Sequence, residues 1–213
     1  MRFADRRAAG RVLADELHKY ACRNDVVVLA LPRGGVPVAF EVACALAAPL
    51  DVFVVRKLGA PRHPELAMGA IASGGVRVLN EEVVAYYRPS PDELQRITDV
   101  ERRELERREL AYRGGRPHVP IAGRIAILVD DGLATGASMR AAVQAARALG
   151  PSQVVVAVPV GAPDSCRSIE TVADEVVCVE RPEPFDAVGC WYGDFSQTAD
   201  EEVRELLAQS AGR

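Results

Sequence analysis

The fold is indicated most clearly by residues 125–139, which read Ile125-Ala-Ile-Leu-Val-Asp-Asp-Gly-Leu-Ala-Thr-Gly-Ala-Ser-Met139. Its first five residues form an apolar, partly β-branched run that is typical of a buried strand. Asp130 and Asp131 follow at once, then a turn of small residues, and Ser138 opens a helix. Loop amides and a helix N-terminus can hold a phosphate, and paired carboxylates can hold sugar hydroxyls or a magnesium ion. The stretch therefore predicts a binding site for a phosphorylated sugar.

Strands and helices alternate on both sides of this stretch, which predicts an α/β protein with a Rossmann-like parallel sheet flanked by helices. The hydrophobic pattern predicts buried strands at 26–31, 51–55, 125–129, 154–160 and 175–179, and two short strands around 70–71 and 76–79. It predicts helices at 5–22, 38–47, 91–112, 138–149, 162–173 and 200–208, with an irregular segment at 181–191.

Three polar loops follow predicted strands of this sheet. Ligands of such sheets bind beyond the carboxyl ends of the strands, so we expect these loops on one rim. In the loop 32–37, Gly34 and Gly35 allow backbone amides to approach an anion, and Arg33 supplies charge. Arg56 and Lys57 end the second predicted strand, where Lys57 in particular could neutralise an anionic leaving group. The alternative for both cations is a solvated rim charge or a salt bridge.

The segment 127–138 resembles the phosphoribosyl pyrophosphate (PRPP) signature of the type I phosphoribosyltransferases: apolar residues, two acids, then a short loop with Thr-Gly and a hydroxyl residue. The resemblance implies the fold of that family with a small hood, a Mg²⁺ cofactor, and transfer of the 5-phosphoribosyl group of PRPP to a nitrogenous base. The sequence departs from the pattern at Gly132, where a larger apolar residue is common. We expect that glycine to loosen the loop without removing a ligand.

The resemblance also implies a role for each motif residue. Asp130 and Asp131 would hold the ribose hydroxyls and, through PRPP and water, the metal ion; with Lys57 they would be the catalytic residues. The 5′-phosphate would be bound by Ala134, Thr135, Gly136, Ala137 and Ser138. The pyrophosphate would be bound by Arg33, Gly34, Gly35, Arg56 and Lys57. The loop that holds the first three often contains a non-proline cis peptide bond in this family.

The remaining candidates lie outside these loops. In a single domain spanning 1–213 we expect a long charged insertion at about 58–120 and a C-terminal hood at about 181–213. In the hood, an aromatic cluster either stacks on the base or plugs the sheet edge; its members are Trp191, Tyr192 and Phe195. Arg113 and Arg116, beside a Gly-Gly pair, could close over the phosphates. His63 and Glu65 are expected near the same rim, where His63 is either a candidate for proton transfer or a turn residue between two prolines.

Composition limits the partners. A net charge of −4 gives no reason to expect nucleic acid, and no apolar run has the length of a membrane span. The five dispersed cysteines and an N-terminus without an apolar signal region indicate a reduced, cytoplasmic protein, expected as a homodimer. One alternative is a regulatory protein of this fold that binds PRPP or nucleotides without turnover. A phosphatase or hydrolase using Asp130 and Asp131 would need further metal ligands, which the sequence does not offer.

Overall fold

A computed structural model describes residues 2–212, apart from the side chains of Pro64 and Glu65, and has a five-stranded parallel sheet at its centre. The strand order is β2-β1-β6-β7-β8, and all four pairings are parallel. The strands are β1 (Val26–Ala30), β2 (Leu50–Val52), β6 (Ile125–Val129), β7 (Gln153–Val160) and β8 (Glu175–Glu180). The expected α/β fold with a parallel sheet flanked by helices is confirmed.

Helices cover both faces of this sheet because alternate residues of its central strands point to opposite sides. Val26 and Val28 of β1 pack in one buried cluster, and Val27 and Leu29 pack in the other. The first face carries α1 (Arg6–Glu16), α2 (Gly35–Leu46) and α7 (Asp200–Ala211), and the second carries α5 (Ala137–Ala148) and α6 (Pro163–Glu170). Both faces of β1 and β6 are therefore buried, as their unbroken apolar sequences require.

The region between β2 and β6 builds a second, antiparallel sheet and two more helices. The sheet has the order β3-β4-β5, formed by β3 (Val55–Ala60), β4 (His63–Ala72) and β5 (Val76–Leu79). α3 (Glu81–Tyr87) was not predicted, whereas α4 (Pro91–Arg113) agrees with the predicted charged helix. Ser90 caps α4 by accepting a hydrogen bond from the Glu93 amide, and Gly114 ends it in a left-handed conformation.

The second predicted strand, 51–55, is wrong in its bounds. Its apolar residues belong to two elements, because β2 ends at Val52 and β3 begins at Val55 in the other sheet. Phe53 and Val54 are buried at the crossing, so the run stays apolar although the strand does not continue. Arg56 and Lys57 consequently lie within β3 and not at the carboxyl end of a parallel strand.

Four predicted helices also have different ends. α6 ends at Glu170, three residues earlier than predicted, and α7 ends at Ala211, three residues later. α1 stops at Glu16 and is followed by a 3₁₀ turn at His18–Tyr20, so the predicted helix 5–22 is too long. α2 begins at Gly35, three residues earlier than predicted, and includes Pro37, which a first helical turn tolerates. The glycine-containing loop is therefore shorter than expected and leads directly into a helix N-terminus.

The segment expected to form the hood divides into two parts. A 3₁₀ turn at Val188–Trp191 and irregular chain occupy the first part. α7 packs its buried Val203 and Leu206 into the main core, so it belongs to the helical layer. Among residues 2–212, no helix combines the length and the apolar character needed to cross a membrane.

Candidate functional site

Two loops leave the sheet side by side at the carboxyl ends of β1 and β6. Ala30 and Val129, the last residues of these strands, are register partners, and the Leu31 amide donates to the Val129 carbonyl at 2.8 Å. The glycine loop, which we define as residues 32–35, follows β1. The acidic loop, defined as residues 130–136, follows β6. The predicted meeting of these two loops on one rim is present in the structure.

The two loops approach so closely that only glycine fits at their contact. A Cβ atom on Gly34 would lie 2.0 Å from Asp131 Oδ2, and one on Gly35 would lie 2.6 Å from the Val129 carbonyl oxygen. Both distances are far below a van der Waals contact. A side chain at position 35 would push the loop backbones apart, and one at position 34 would displace the Asp131 carboxylate. The glycines therefore place the backbone of the glycine loop directly against the acid pair.

The acid pair is crowded and carries more negative charge than its surroundings neutralise. Asp130 Oδ1 accepts a hydrogen bond from the Asp131 amide at 2.9 Å, and Asp131 Oδ2 accepts one from Arg6 Nε at 2.8 Å. Burial, together with the neighbouring Asp131 charge, raises the pKa of Asp130 well above its ordinary value. Burial also raises the pKa of Asp131, and the Arg6 guanidinium opposes that rise. Such a pair favours ligands that bring hydroxyl donors or positive charge.

The rest of the acidic loop is open for an anion. Leu133 anchors it, since its amide donates to the Val160 carbonyl at 2.9 Å, and the Ser165 hydroxyl donates to the Ala134 carbonyl. Gly136 has a left-handed backbone (φ +73°) and, as the N-cap of α5, offers no side chain to its first turn. The Ala137 amide makes one long contact there, 3.5 Å to Thr135 Oγ1. Several residues around this helix start are exposed: Ala134, Thr135, Ala137 and Ser138. Uncapped amides at a helix N-terminus with adjacent hydroxyls suit a phosphate.

Arg33 extends the glycine loop towards α7. Its Nη1 atom lies 3.4 Å from Asp200 Oδ1, and Tyr112 of α4 approaches the same carboxylate oxygen at 3.4 Å. The peptide bond between Pro32 and Arg33 is cis, as the family resemblance implied. One third of the Arg33 side chain remains exposed, so its charge is available at the rim.

Arg56 and Lys57 occupy neighbouring positions of β3 with different surroundings. Arg56 pairs with Glu101 of α4 at 2.7 Å, which matches the salt-bridge alternative considered for this position. Lys57 is exposed. The expectation that both end a parallel strand is wrong, and their contact with pyrophosphate stays a prediction that now depends on the antiparallel sheet.

The aromatic cluster of the C-terminal segment is mostly a packing element. Tyr192 is 1% exposed, lies between Phe3 and Phe195, and donates its hydroxyl hydrogen bond to the Asp131 carbonyl. Burial raises its pKa, so the hydroxyl stays a donor. The base-stacking alternative is therefore wrong for Tyr192. This residue instead supports the acidic loop through its hydrogen bond to the Asp131 carbonyl. Trp191 is partly exposed and Phe195 is 37% exposed, so both remain candidates.

The expectation that Gly132 loosens its loop stays a prediction, and the structure adds a packing reason for this glycine. A Cβ atom there would lie 2.5 Å from Val188 Cγ1. Val188 thus fills the space beside the loop that a larger residue at 132 would occupy. This contact also brings the 3₁₀ turn of the C-terminal segment directly beside the acid pair.

Arg113 cannot close over a ligand in the way the sequence suggested. Its side chain is 5% exposed, and its guanidinium binds Asp51 Oδ1 at 2.7 Å and Glu109 Oε1 at 2.7 Å. Arg116 donates to the Leu207 carbonyl at 2.8 Å. Both arginines therefore stabilise packing at the edge of the sheet.

The proton-transfer candidates gain no support from their surroundings. His63 begins β4 and its ring lies 5.7 Å from that of Tyr87, and the side chain of Glu65 is outside the described part. Among residues 2–212, no three His, Cys, Asp or Glu side chains form a group that could hold a metal ion. A metal at Asp130 and Asp131 would therefore need ligands from a bound substrate.

Sequence reasoning missed two residues of this site. Arg6, 125 positions from Asp131, stands in an ordinary charged helix start, and Asp200 opens a terminal helix. Neither has a local pattern that separates it from a surface charge, so only the fold reveals them.

The chain belongs to the phosphoribosyl transferase domain family, whose model matches residues 4–191. A provisionally named phosphoribosyl transferase, recorded in two strains of Mycobacterium tuberculosis, is 54% identical over 208 residues. That alignment covers 96% of this chain and 46% of the relative, so the chain spans about half the length of the curated relatives it matches.

Two solved structures show the same architecture. The crystal structure of TT1426 from Thermus thermophilus is 45% identical in sequence, with a TM-score of 0.89, and the match covers 98% of this chain and 99% of that one. The AQ2163 protein from Aquifex aeolicus is 13% identical, with a TM-score of 0.50 over 86% of this chain and 78% of that one. The second likeness shows the fold alone.

Proposed function

We propose that this chain transfers the 5-phosphoribosyl group of PRPP to a nitrogenous base and releases pyrophosphate. The single observation that carries the proposal is the close approach of Gly34 to Asp131. A Cβ atom added to Gly34 would lie 2.0 Å from Asp131 Oδ2. This approach sets a loop suited to pyrophosphate directly beside a loop suited to ribose 5-phosphate. PRPP carries both groups, on C1 and C5 of one sugar.

In this proposal the acidic loop binds the sugar phosphate. The exposed amides at the start of α5, with the hydroxyls of Thr135 and Ser138, receive the 5′-phosphate. Asp130 and Asp131 accept hydrogen bonds from the ribose 2′ and 3′ hydroxyls. Their negative charge also favours the positive charge that develops on the ribose as the leaving group departs.

The glycine loop receives the leaving group. The Gly34 amide, with the charge of Arg33, binds pyrophosphate, and Lys57 contributes from β3. The Gly35 amide donates to the Leu31 carbonyl at 3.1 Å, so Gly35 contributes by letting the loop approach closely. Arg33 would exchange Asp200 for the substrate, because a 3.4 Å contact at a partly exposed side chain is weak. Mg²⁺ bound with PRPP would neutralise part of the pyrophosphate charge.

The reaction needs no covalent intermediate on the protein. The bond between C1 of the ribose and the pyrophosphate oxygen breaks, and pyrophosphate leaves with the electron pair. A ring nitrogen of the base forms the new bond to C1, and its proton passes to the departing pyrophosphate. Catalysis then consists of positioning and electrostatic stabilisation by the residues of the two loops.

The acceptor base would lie against the 3₁₀ turn at Val188–Trp191. Val188 touches the loop at Gly132, and Trp191 in the same turn is partly exposed, so a flat base on this side would reach C1 of the ribose. The chemical identity of the base stays open, and a homodimer and a cytoplasmic location remain predictions from the sequence.

The deciding experiment follows pyrophosphate release from Mg-PRPP with a panel of purine and pyrimidine bases, with the Asp130→Asn, Asp131→Asn double variant as the control. The proposal predicts release that depends on one class of base and is lost in the control. Tight PRPP binding without turnover on any base would instead favour a regulatory protein of this fold.

Lys57 can be tested in the same assay. If it receives the pyrophosphate, Lys57→Ala lowers kcat for the preferred base, while Arg56→Ala mainly disturbs the contact with Glu101 and lowers thermal stability. Equal kinetics of wild type and Lys57→Ala would remove Lys57 from the site.

A further inference from the structure

Arg6 joins three parts of the site that lie far apart in the sequence. It is the first residue of α1, and its Nε atom donates to Asp131 Oδ2 at 2.8 Å. Its Nη1 atom donates to the Ser196 carbonyl at 2.7 Å. Its guanidinium carbon lies 4.0 Å from the centroid of the Phe195 ring. The acid pair, the first helix and the C-terminal segment are therefore linked through one side chain.

The surroundings of Arg6 distinguish it from the other arginines of α1. Its side chain is 11% exposed, whereas that of Arg7, the next residue, is 50% exposed and pairs with Glu41 on α2. Arg6 Nε also lies beside the glycine loop, since a Cβ atom added to Gly34 would be 3.3 Å from it. Burial of an arginine with three fixed contacts at the junction of the two loops indicates a role in the site.

We infer that Arg6 is a positioning residue of the phosphoribosyl site: it orients the Asp131 carboxylate for the ribose hydroxyls and couples that carboxylate to the C-terminal segment. The inference rests on the proposed function. A bond on Oδ2 fixes the plane of the carboxylate, so a ribose hydroxyl can donate to Oδ1 without a reorientation on binding. A side chain that only balanced charge would need none of the other contacts.

The chemistry of the guanidinium explains why this position holds arginine. A planar fork can bind a carboxylate and a carbonyl with different nitrogens while its face stacks on an aromatic ring. A lysine ammonium carries the same charge but lacks both the fork and the flat face. Lysine should therefore restore the charge near Asp131 without restoring its orientation.

The test measures the affinity of the whole chain for Mg-PRPP by calorimetry, in wild type, Arg6→Ala, Arg6→Lys and the matched control Arg7→Ala. We expect a loss of about tenfold in Arg6→Ala, the size of one charge-assisted hydrogen bond. Arg6→Lys should recover only part of it, and Arg7→Ala should bind like wild type. Because Arg6→Lys keeps the charge, it also serves if Arg6→Ala does not fold.

Two further measurements separate positioning from a general effect on the fold. In an Asp131→Asn background, Arg6→Ala should change the affinity by less than about twofold, because the group it orients is altered. Mg-pyrophosphate, which lacks the ribose, should bind equally to wild type and Arg6→Ala. An equal loss in both backgrounds, or an equal loss for pyrophosphate, would overturn the inference.

The outcomes also separate this inference from the proposed function. A wild type that does not bind Mg-PRPP overturns both. A wild type that binds Mg-PRPP, with Arg6→Ala and Arg6→Lys binding equally well, overturns the role of Arg6 alone.

Discussion

Two groups of acids and arginine lie in the interior of this molecule, and their hydrogen bonding differs. At the sheet edge, Asp51 accepts hydrogen bonds from Arg113 Nε at 2.7 Å, from the Val52 amide at 2.8 Å and from the Val119 amide at 3.0 Å. At the rim, among the described residues, the hydrogen bond found for Asp130 comes from the Asp131 amide.

The difference indicates which group serves the fold and which serves a ligand. The edge group, Asp51 with Arg113 and Glu109, is satisfied by protein donors and acceptors. Burial raises the pKa of both residues of the rim pair, Asp130 and Asp131, and the Asp131 charge adds to the rise at Asp130. Ionised carboxylates in such surroundings reduce stability, and sites that bind or react often show this property.

The largest effect on the free energy of unfolding is expected when the arginine of the edge group is removed. Arg113→Met should lower the free energy of unfolding by about 3–5 kcal/mol, because it leaves Asp51 and Glu109 buried without their cation. Urea denaturation checks this value. Arg107→Met, which breaks an exposed pair with Glu104, is the control and should leave the midpoint unchanged. A similar midpoint for both variants would contradict a structural role for Arg113.

A smaller effect is expected where the acidic loop meets the C-terminal segment. Gly132→Ala should lower the free energy of unfolding by about 1–3 kcal/mol, because its methyl group would overlap the Val188 side chain. Combining it with Val188→Ala should restore part of the loss, since the space is then free. If the double variant is no more stable than Gly132→Ala, Val188 does not fill this position.

The smallest effect has the opposite sign. Asp130→Asn should raise the free energy of unfolding by about 1 kcal/mol at pH 8, or the melting temperature by about 2–4 °C, because asparagine avoids the buried charge. Asp51→Asn should instead be less stable than wild type, since its carboxylate has three donors.

The sign of the pH dependence follows from the raised pKa. The folded chain keeps the Asp130 proton at pH values where the unfolded chain has lost it, so this residue's contribution to stability declines as pH rises above about 4. The gain in free energy of unfolding from Asp130→Asn should therefore be near zero at pH 4 and grow until the pH passes the raised pKa of Asp130. Calorimetric melting at several pH values checks the trend, and a variant less stable than wild type at pH 8 would contradict it.

The parallel sheet was predictable because its central strands are buried on both faces. Ile125 to Val129 form an unbroken apolar run followed by acids and glycine, so strand, loop and helix are all marked locally. The crossing after Val52 was not, since the chain passes from one sheet to the other while its residues stay buried. Hydrophobicity reports burial, and there it does not distinguish one strand from two.

The site was predictable in its loops and not in their supports. Glycines and acids of the two loops have local patterns with a chemical meaning. Arg6 and Tyr192 contact Asp131 from opposite ends of the chain, and nothing within their own segments distinguishes them from a surface arginine or a core tyrosine. Tertiary contact decides their roles, as it decides that Arg113 stabilises the edge.

The assignment of the rim pair as the sugar-phosphate site is tested most directly by the affinity for Mg-PRPP, measured by calorimetry. The measurement compares wild type with the Asp130→Asn, Asp131→Asn double variant, and Asp51→Asn is the buried-acid control. All three are compared at a temperature where circular dichroism shows them folded. We expect wild type and Asp51→Asn to bind, and the double variant to lose about a hundredfold or more in affinity. Equal affinity of wild type and the double variant would contradict the assignment of the rim pair as the sugar-phosphate site.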